Sequence, residues 1–336
     1  MGRKKTGIRT PGKQAVPAAA NGPSLAARVT WWSIVAAVAL IPLTLPTLLP
    51  LGVQWQLMND PFSLAKLVAL RVITLVALGA WGFDLLTRGG RVRYTPVEWL
   101  ILAFLGWVGV TTLTAFHWQT ALVGKYFRDE GFLTFVNYAV IYFLTLQVAD
   151  KASRVRTLAL ALFGSSVIVA AYGVLQYFAL DPAPWRFDFA QRAFSTYGNP
   201  NLLGGYLMFS LPVGLGLALA EKDLRRRLAF WVGTILSAFA LLFTFTRGAW
   251  IGAAVAVVII AIAAARHGVR FAKVDVASVS VAGLLAALLL FIQSRIEYFD
   301  RILPVAQMAG GRLTPSDPGG VGGRLMDALY AMTERP

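Results

Sequence analysis

Apolar runs close to 20 residues long recur throughout this 336-residue chain, and nothing else constrains its fold as strongly. About 20 residues of helix cross roughly 30 Å of hydrocarbon. There a helix satisfies its own backbone polar groups, as otherwise only a closed barrel does. The runs fall at 30–50, 64–86, 95–116, 132–149, 157–180, 202–220, 228–246, 249–265 and 276–294. None alternates polar and apolar residues with the period of two that barrel strands require. Composition excludes a soluble globule: 57% of residues are hydrophobic and only 14% charged, where soluble domains carry about a quarter charged. The expected fold class is an all-α polytopic membrane protein with about nine transmembrane helices over residues 30–294.

Orientation follows from the basic residues. The segment before the first run holds Arg3, Lys4, Lys5, Arg9, Lys13 and Arg28. Every second loop after it is basic: Arg88, Arg91 and Arg93; Lys151, Arg154 and Arg156; Lys222, Arg225, Arg226 and Arg227; Arg266, Arg270 and Lys273. These loops and the tail hold 19 of the 31 Lys and Arg residues. The positive-inside rule therefore puts the N-terminus in the cytoplasm. The net charge of +15 is mostly a topology signal. A nucleic-acid partner would want the cations on one folded face, so none is expected, and membrane lipids are the expected surroundings.

Residues 1–29 read as a disordered basic cytoplasmic tail, poor in large apolar residues and rich in Pro, Gly, Ala and Lys/Arg. The first run shows no small-residue cleavage pattern and reads as a retained helix. The chain has no cysteine, which excludes disulfides and thiolate metal sites. Two histidines, His117 and His267, do not make a metal site, and no nucleotide-binding glycine loop occurs. No metal and no cofactor is expected.

Four arginines stand in the intervening loops, where the rule makes them scarce: Arg186, and three that matter more for their places. Arg128 lies in "KYFRDEGFL", Arg192 just before the turn Gly198-Asn199-Pro200-Asn201, and Arg247 in the tight turn of "LLFTFTRGAWIGAAV". Each has an ordinary explanation. Arg128 has Asp129 and Glu130 beside it; Arg247 reaches the headgroups by snorkelling; Gly-Asn-Pro-Asn is a sound turn in any protein. Together they also suit a phosphate, because the guanidinium fork matches its oxygens and gains strength where water is excluded. The turn at 198–201 would start a helix whose free amides add partial positive charge nearby. Lys66 and Arg71 fall inside the second run, Lys66 near enough to its end to snorkel and Arg71 at a depth where charge faces a cavity or a partner. Aromatic residues near run ends (Trp99, Trp118, Tyr126, Trp185, Tyr197, Trp250) read mainly as interface anchors. Trp185 and Tyr197 are the ones placed to stack on a sugar.

The segments "RAFSTYGNPNLLGGYLMFSLPVG", "FTFTRGAWIG" and "FRDEGFLTFVNYAVIYF" resemble, in order, spacing and sidedness, the O-antigen ligase and polymerase superfamily. That group includes lipopolysaccharide core ligases, O-antigen polymerases and bacterial oligosaccharyltransferases, and the likeness spans roughly residues 55 to 336. The resemblance implies a GT-C-like helical bundle in a bacterial cytoplasmic membrane, its site facing the periplasm or exterior. It implies inverting, metal-independent transfer of a glycan from a polyprenyl-diphosphate-linked donor to a hydroxyl of an acceptor lipid, glycan or protein. Carried over by motif, Arg192 and Arg247 engage the donor diphosphate. Arg324 in "GGRLMDALYAMTERP" ranks third and Arg128 is a further candidate, with Gly198, Asn199, Pro200 and Asn201 shaping the site. The family's catalytic histidine lies in a large outer loop after the ninth span. Here 295–336 reads as the start of that loop, and neither His117 nor His267 occupies the equivalent place. The expectation is a fragment of a longer protein, with the catalytic residue unknown. The alternative is a secondary transporter or flippase for an anionic lipid-linked or small substrate. That class wants paired broken helices with charge at mid-membrane, of which the sequence offers only Arg71 and the Gly/Pro content of the sixth run. A non-catalytic scaffold would give no reason for arginines at several outer helix ends.

Overall fold

The structure, a computed structural model, describes residues 22–44, 62–89, 92–125, 128–178, 180, 192–268 and 272–281, with helical positions 283, 284, 287 and 291 beyond them. Nine helices with defined bounds occur among the described residues: α1 (Leu25–Leu40), α2 (Ser63–Arg88), α3 (Val97–Leu113), α4 (Trp118–Val123), α5 (Phe132–Val148), α6 (Ala152–Tyr177), α7 (Pro200–Ala220), α8 (Leu224–Phe243) and α9 (Arg247–Arg266). Six of them (α1 with its terminal turn, α2, α6, α7, α8 and α9) are long and apolar enough to cross a membrane. The architecture is that of an α-helical, multi-pass membrane protein. Helices α3 and α5 are apolar and 17 residues each, about 25 Å at 1.5 Å per residue. The ninth expected run is helical over 273–281 and at 283, 284, 287 and 291; its other positions lie outside the described residues, as do most of the 1–29 tail and all of 295–336, including Arg324.

Helix boundaries follow local chemistry. α1 starts at Leu25, five residues before the first apolar run, because Ser24 caps it: the Ser24 Oγ accepts from the Ala27 amide at 2.8 Å. It passes into a 3₁₀ turn, Ile41–Leu43, where Pro42 lacks the amide an α-helix would use. α6 starts at Ala152, ahead of the run at 157, so Arg154 and Arg156 ride on its first turns. Short α4 lies between α3 and α5, where the sequence reads as a loop.

The bundle is built around α6 and α7. α7 packs on α6, α8 and α9, while α1 links α6 to α2 and α5, and α3 is peripheral, resting on α5. The principal core joins Val169 and Ala170 of α6, Leu203, Leu207 and Leu211 of α7, Ala240, Leu241 and Phe243 of α8, and Ala249 and Ala253 of α9. A second core joins Trp31 and Ile34 of α1 to Ala77 of α2 and Leu144 of α5. Lipid tails are as apolar as leucine, so close packing rather than hydrophobicity must hold such helices together, and small residues permit it. Phe163 of α6 inserts between two glycines. A methyl group built on Gly214 would lie 2.6 Å from its ring, and one on Gly233 would also lie 2.6 Å from it.

Charge separates the two ends. At one end Asp84, Asp150, Glu221 and Asp275 each pair with arginine: Arg88, Arg93 and Arg154, Arg156, and Arg227 respectively. The opposite end carries Lys66, Arg128, Arg192 and Arg247, and its carboxylates among the described residues are Asp129 and Glu130.

Candidate functional site

At that second end two short segments lie side by side. Residues 192–199 lead into α7, and residues 244–246 are the whole connection between α8 and α9. The Ala193 amide donates to the Phe243 carbonyl at 2.9 Å, which sets the register. Each segment contains a non-glycine residue with left-handed backbone, Ser195 at φ 48° and Phe245 at φ 51°. Such conformations persist only where surrounding contacts impose them. At Ser195 those contacts are visible: its amide donates to Gln176 Oε1 at 2.5 Å and its hydroxyl to the Val169 carbonyl at 2.7 Å.

The Gly-Asn-Pro-Asn turn then starts α7. Gly198 takes φ +64°, a left-handed position that suits glycine. Asn199 is the N-cap, its Oδ1 accepting from the Asn201 amide at 2.8 Å, and Pro200 occupies the first helical turn, where its missing amide costs nothing. Gly204, one turn on, lets α9 approach: a methyl group there would lie 3.0 Å from Thr246 Cβ and 3.2 Å from Ala249 Cβ. The N-termini of α7 and α9 thereby converge.

Arg192 spans the junction. Its Nε donates to the Thr244 carbonyl at 2.7 Å, and its Nη2 lies 3.2 Å from Asn201 Oδ1 and 3.3 Å from Thr246 Oγ1. Thr246 Oγ1 is in turn 3.2 Å from both the Pro200 carbonyl and Asn201 Oδ1. The Thr246 hydroxyl is thus turned towards α7 and does not cap its own helix. The Arg247 and Gly248 amides in the first turn of α9 have no acceptor within the helix. Nη1 of Arg192 has no protein partner among the described residues. The Arg247 side chain, exposed at the first position of α9, makes no hydrogen bond or ion pair there either. A fixed guanidinium, a free one and open helix amides stand together with no carboxylate paired to either arginine among the described residues. Such a set of donors suits an oxyanion with several oxygens.

Other expected residues fall differently. Arg128 sits exposed in the 124–131 loop, its amide bonded to the Lys125 carbonyl at 2.9 Å, and no bond joins it to Arg192 or Arg247. His117 is the exposed N-cap of α4, and His267 closes α9 at the far end. Trp185 and Tyr126 lie outside the described residues. Trp250 is held in the fold, its Nε1 donating to the Leu241 carbonyl at 3.0 Å.

Tyr197 is packed rather than presented: the Tyr206 ring lies 5.0 Å away and Lys66 Nζ 5.3 Å from its centroid. Burial, with Tyr206 and Tyr138 adding to it, pushes its phenol above the ordinary range and keeps the hydroxyl protonated. Lys66 does not snorkel. It donates to the Thr196 carbonyl at 2.6 Å and the Thr44 carbonyl at 2.9 Å, tying the α1–α2 connection to the segment ahead of α7. Asn201, expected as part of the turn, also holds Arg192 and Thr246; Thr246 and the tie made by Lys66 are the contributions that the sequence did not assign. The signal for Thr246 stood beside Arg247 in Thr-Arg-Gly, whereas nothing in the sequence ties Lys66 to Thr196.

No protein-family model, no curated protein and no solved structure matches this chain. The likeness to O-antigen ligases rests on the quoted motifs alone.

Proposed function

We propose that the chain crosses a bacterial cytoplasmic membrane nine times as a GT-C-like bundle, N-terminus inside. Its Arg192 end faces the periplasm or exterior and holds the diphosphate of a polyprenyl-linked glycan for transfer to an acceptor hydroxyl. The observation that carries this reading is the convergence of Arg192, Arg247 and the α7 and α9 N-termini, with no carboxylate paired to either arginine among the described residues. In the transfer, the acceptor oxygen forms a bond to the anomeric carbon as the carbon–oxygen bond to the diphosphate breaks. The electron pair leaves with the diphosphate. Arginine donors and helix amides aimed at that group oppose the growing charge. Arg192, locked to three partners, supplies a preorganised contact, while Arg247 is free to close on the phosphate. The acceptor's proton passes to a base that the described residues do not identify.

The test is donor binding, measured by native mass spectrometry with undecaprenyl diphosphate and undecaprenyl monophosphate. A charged hydrogen bond contributes about 1.5–3 kcal/mol, so Arg247→Ala is expected to weaken diphosphate binding about 10- to 100-fold. Arg192→Lys, which keeps the charge but loses the fork, is expected to do the same in milder form. Equal binding of both lipids, unmoved by Arg247→Ala, overturns the reading and leaves Arg247 a headgroup anchor.

One observation favours a second reading, transport or flipping of an anionic substrate. Nη2 of Arg71, within α2, is buried and has no hydrogen-bond partner among the described residues, and unpaired charge at such depth marks substrate pathways in transporters. Flipping of a fluorescent lipid-linked substrate in proteoliposomes, abolished by Arg71→Leu while Arg247→Ala leaves it intact, would establish that reading instead.

A further inference from the structure

The opposite end of the bundle has an imbalance of its own. Among the described residues the carboxylates there are engaged within the fold, Glu98 through the Thr95 amide and hydroxyl on one oxygen, the other having no partner. Asp84 serves Ser24 and Arg88, Asp150 serves Arg93 and Arg154, and Glu221 bonds Arg156 at 2.7 Å. Asp223 caps α8 through the Arg226 amide at 2.9 Å. Asp275, almost fully buried, takes Arg227, Trp231 Nε1 at 2.8 Å and the Ala272 amide at 2.7 Å. The Asp275 bonds pull the segment after α9 against the start of α8. Five exposed cations in these two neighbouring segments then have no ion pair with a carboxylate among the described residues: Lys222, Arg225, Arg226, Arg266 and Lys273.

Arg225 and Arg226 are placed against the helix dipole. They sit in the first turn of α8, which contains no acidic residue, where the positive end of the helix disfavours cations. The Asp223 carboxylate at the N-cap offsets part of that repulsion, and an external anion relieves the remainder. Below Arg225, on the same face of the helix, Leu228 and Val232 are exposed, 42% and 65%. Below Arg266 on α9, Ile262 and Ile259 are exposed in the same way. A charged group above an apolar strip matches a lipid rather than a free anion.

We propose that the start of α8 seats an anionic phospholipid headgroup. Arg225 and Arg226 hold its phosphate, Lys222, Arg266 and Lys273 supply the surrounding positive field, and an acyl chain lies along Leu228 and Val232. This site is independent of the donor site at the other end of the bundle.

Native mass spectrometry of the full chain in detergent tests it, with dioleoyl phosphatidylglycerol, dioleoyl phosphatidylcholine and inorganic phosphate as probes. The expected result is a preference of at least about tenfold for phosphatidylglycerol, at roughly fivefold per basic residue near an anionic headgroup. Arg225→Gln with Arg226→Gln is expected to weaken phosphatidylglycerol about 30-fold and to leave phosphatidylcholine unchanged. Lys125→Gln with Lys151→Gln removes the same charge elsewhere and is expected to change neither. Equal affinity for the two lipids overturns the proposal. So does an equal loss in the control variant, which marks a general charge effect, or displacement of the lipid by millimolar phosphate, which marks a free-anion site. Should the double variant not fold, the lipid preference of the unmodified chain decides.

Discussion

Arg192 and Arg247 lie at the same end of the bundle and play different parts. Arg192 is a strut as well as a donor: two bonds from its guanidinium tie the approach to α7 onto the α8–α9 turn, and a third reaches Asn201 in the first turn of α7. The Arg247 side chain is exposed and makes no hydrogen bond or ion pair among the described residues. Arg192→Gln is therefore expected to lower stability by about 1.5–3 kcal/mol, seen as a drop in Tm by scanning fluorimetry in detergent. Arg247→Gln should stay within about 0.5 kcal/mol of the unmodified chain, as exposed substitutions do. At the far end, the Asp223 and Lys222 amides and Arg156 hold the Glu221 carboxyl below the usual range. A depressed folded pKa means that the contribution is present above the unfolded value of about 4.3 and is lost as pH falls through the folded one. The Tm should fall between about pH 5 and pH 3 by more in the unmodified chain than in Glu221→Gln; identical acid profiles would remove Glu221 from the account.

At the scale of elements, the contact of α6 with α7 and α8 depends on Phe163 lying between Gly214 and Gly233. Added methyl groups meet its ring at 2.6 Å on either side, and the Phe230 ring, 5.5 Å away, restricts its retreat. Gly214→Ala and Gly233→Ala are each expected to destabilise by about 1–3 kcal/mol, the usual cost of overpacking. Combining either with Phe163→Leu should recover part of that loss. A double-variant Tm no higher than that of the single glycine variant would show that the clash lies elsewhere. Gly216, with nothing within 4 Å of an added methyl group, is the internal control on α7.

For the whole molecule, the claim to check is orientation. The chain has no cysteine, so a single introduced one reports its own side of the membrane. Lys125→Cys, at the Arg192 end, should react with a membrane-impermeant maleimide in intact spheroplasts. Lys222→Cys, at the Asp275 end, should react only after permeabilisation. The reverse pattern would put the arginine cradle in the cytoplasm and end the case for a donor site on the outer face.

The periodic apolar runs, the alternation of basic loops and the capping signals around Gly198–Asn201 were sufficient to expect helices and, for most of them, bounds within a few residues. This holds because helix formation in an apolar setting is a local matter: length, caps and prolines decide it, and all three can be read along the chain. Where local signals compete, reading by run length slipped. Ser24 starts α1 earlier than its apolar run, and α6 begins among charged residues that a hydropathy run excludes. The site was legible only as a set of arginines of the right type. Their inequality was not, because it depends on which groups 52 or 54 residues away reach Arg192, and on Thr196, 130 residues from Lys66, presenting its carbonyl there. Sequence by itself determined the class, most of the helices and the candidate arginines. The tertiary structure decided which arginine is locked and which is free, because that choice is made by hydrogen bonds across the packing of α7, α8 and α9, where side chains distant in the chain complete one another's valences.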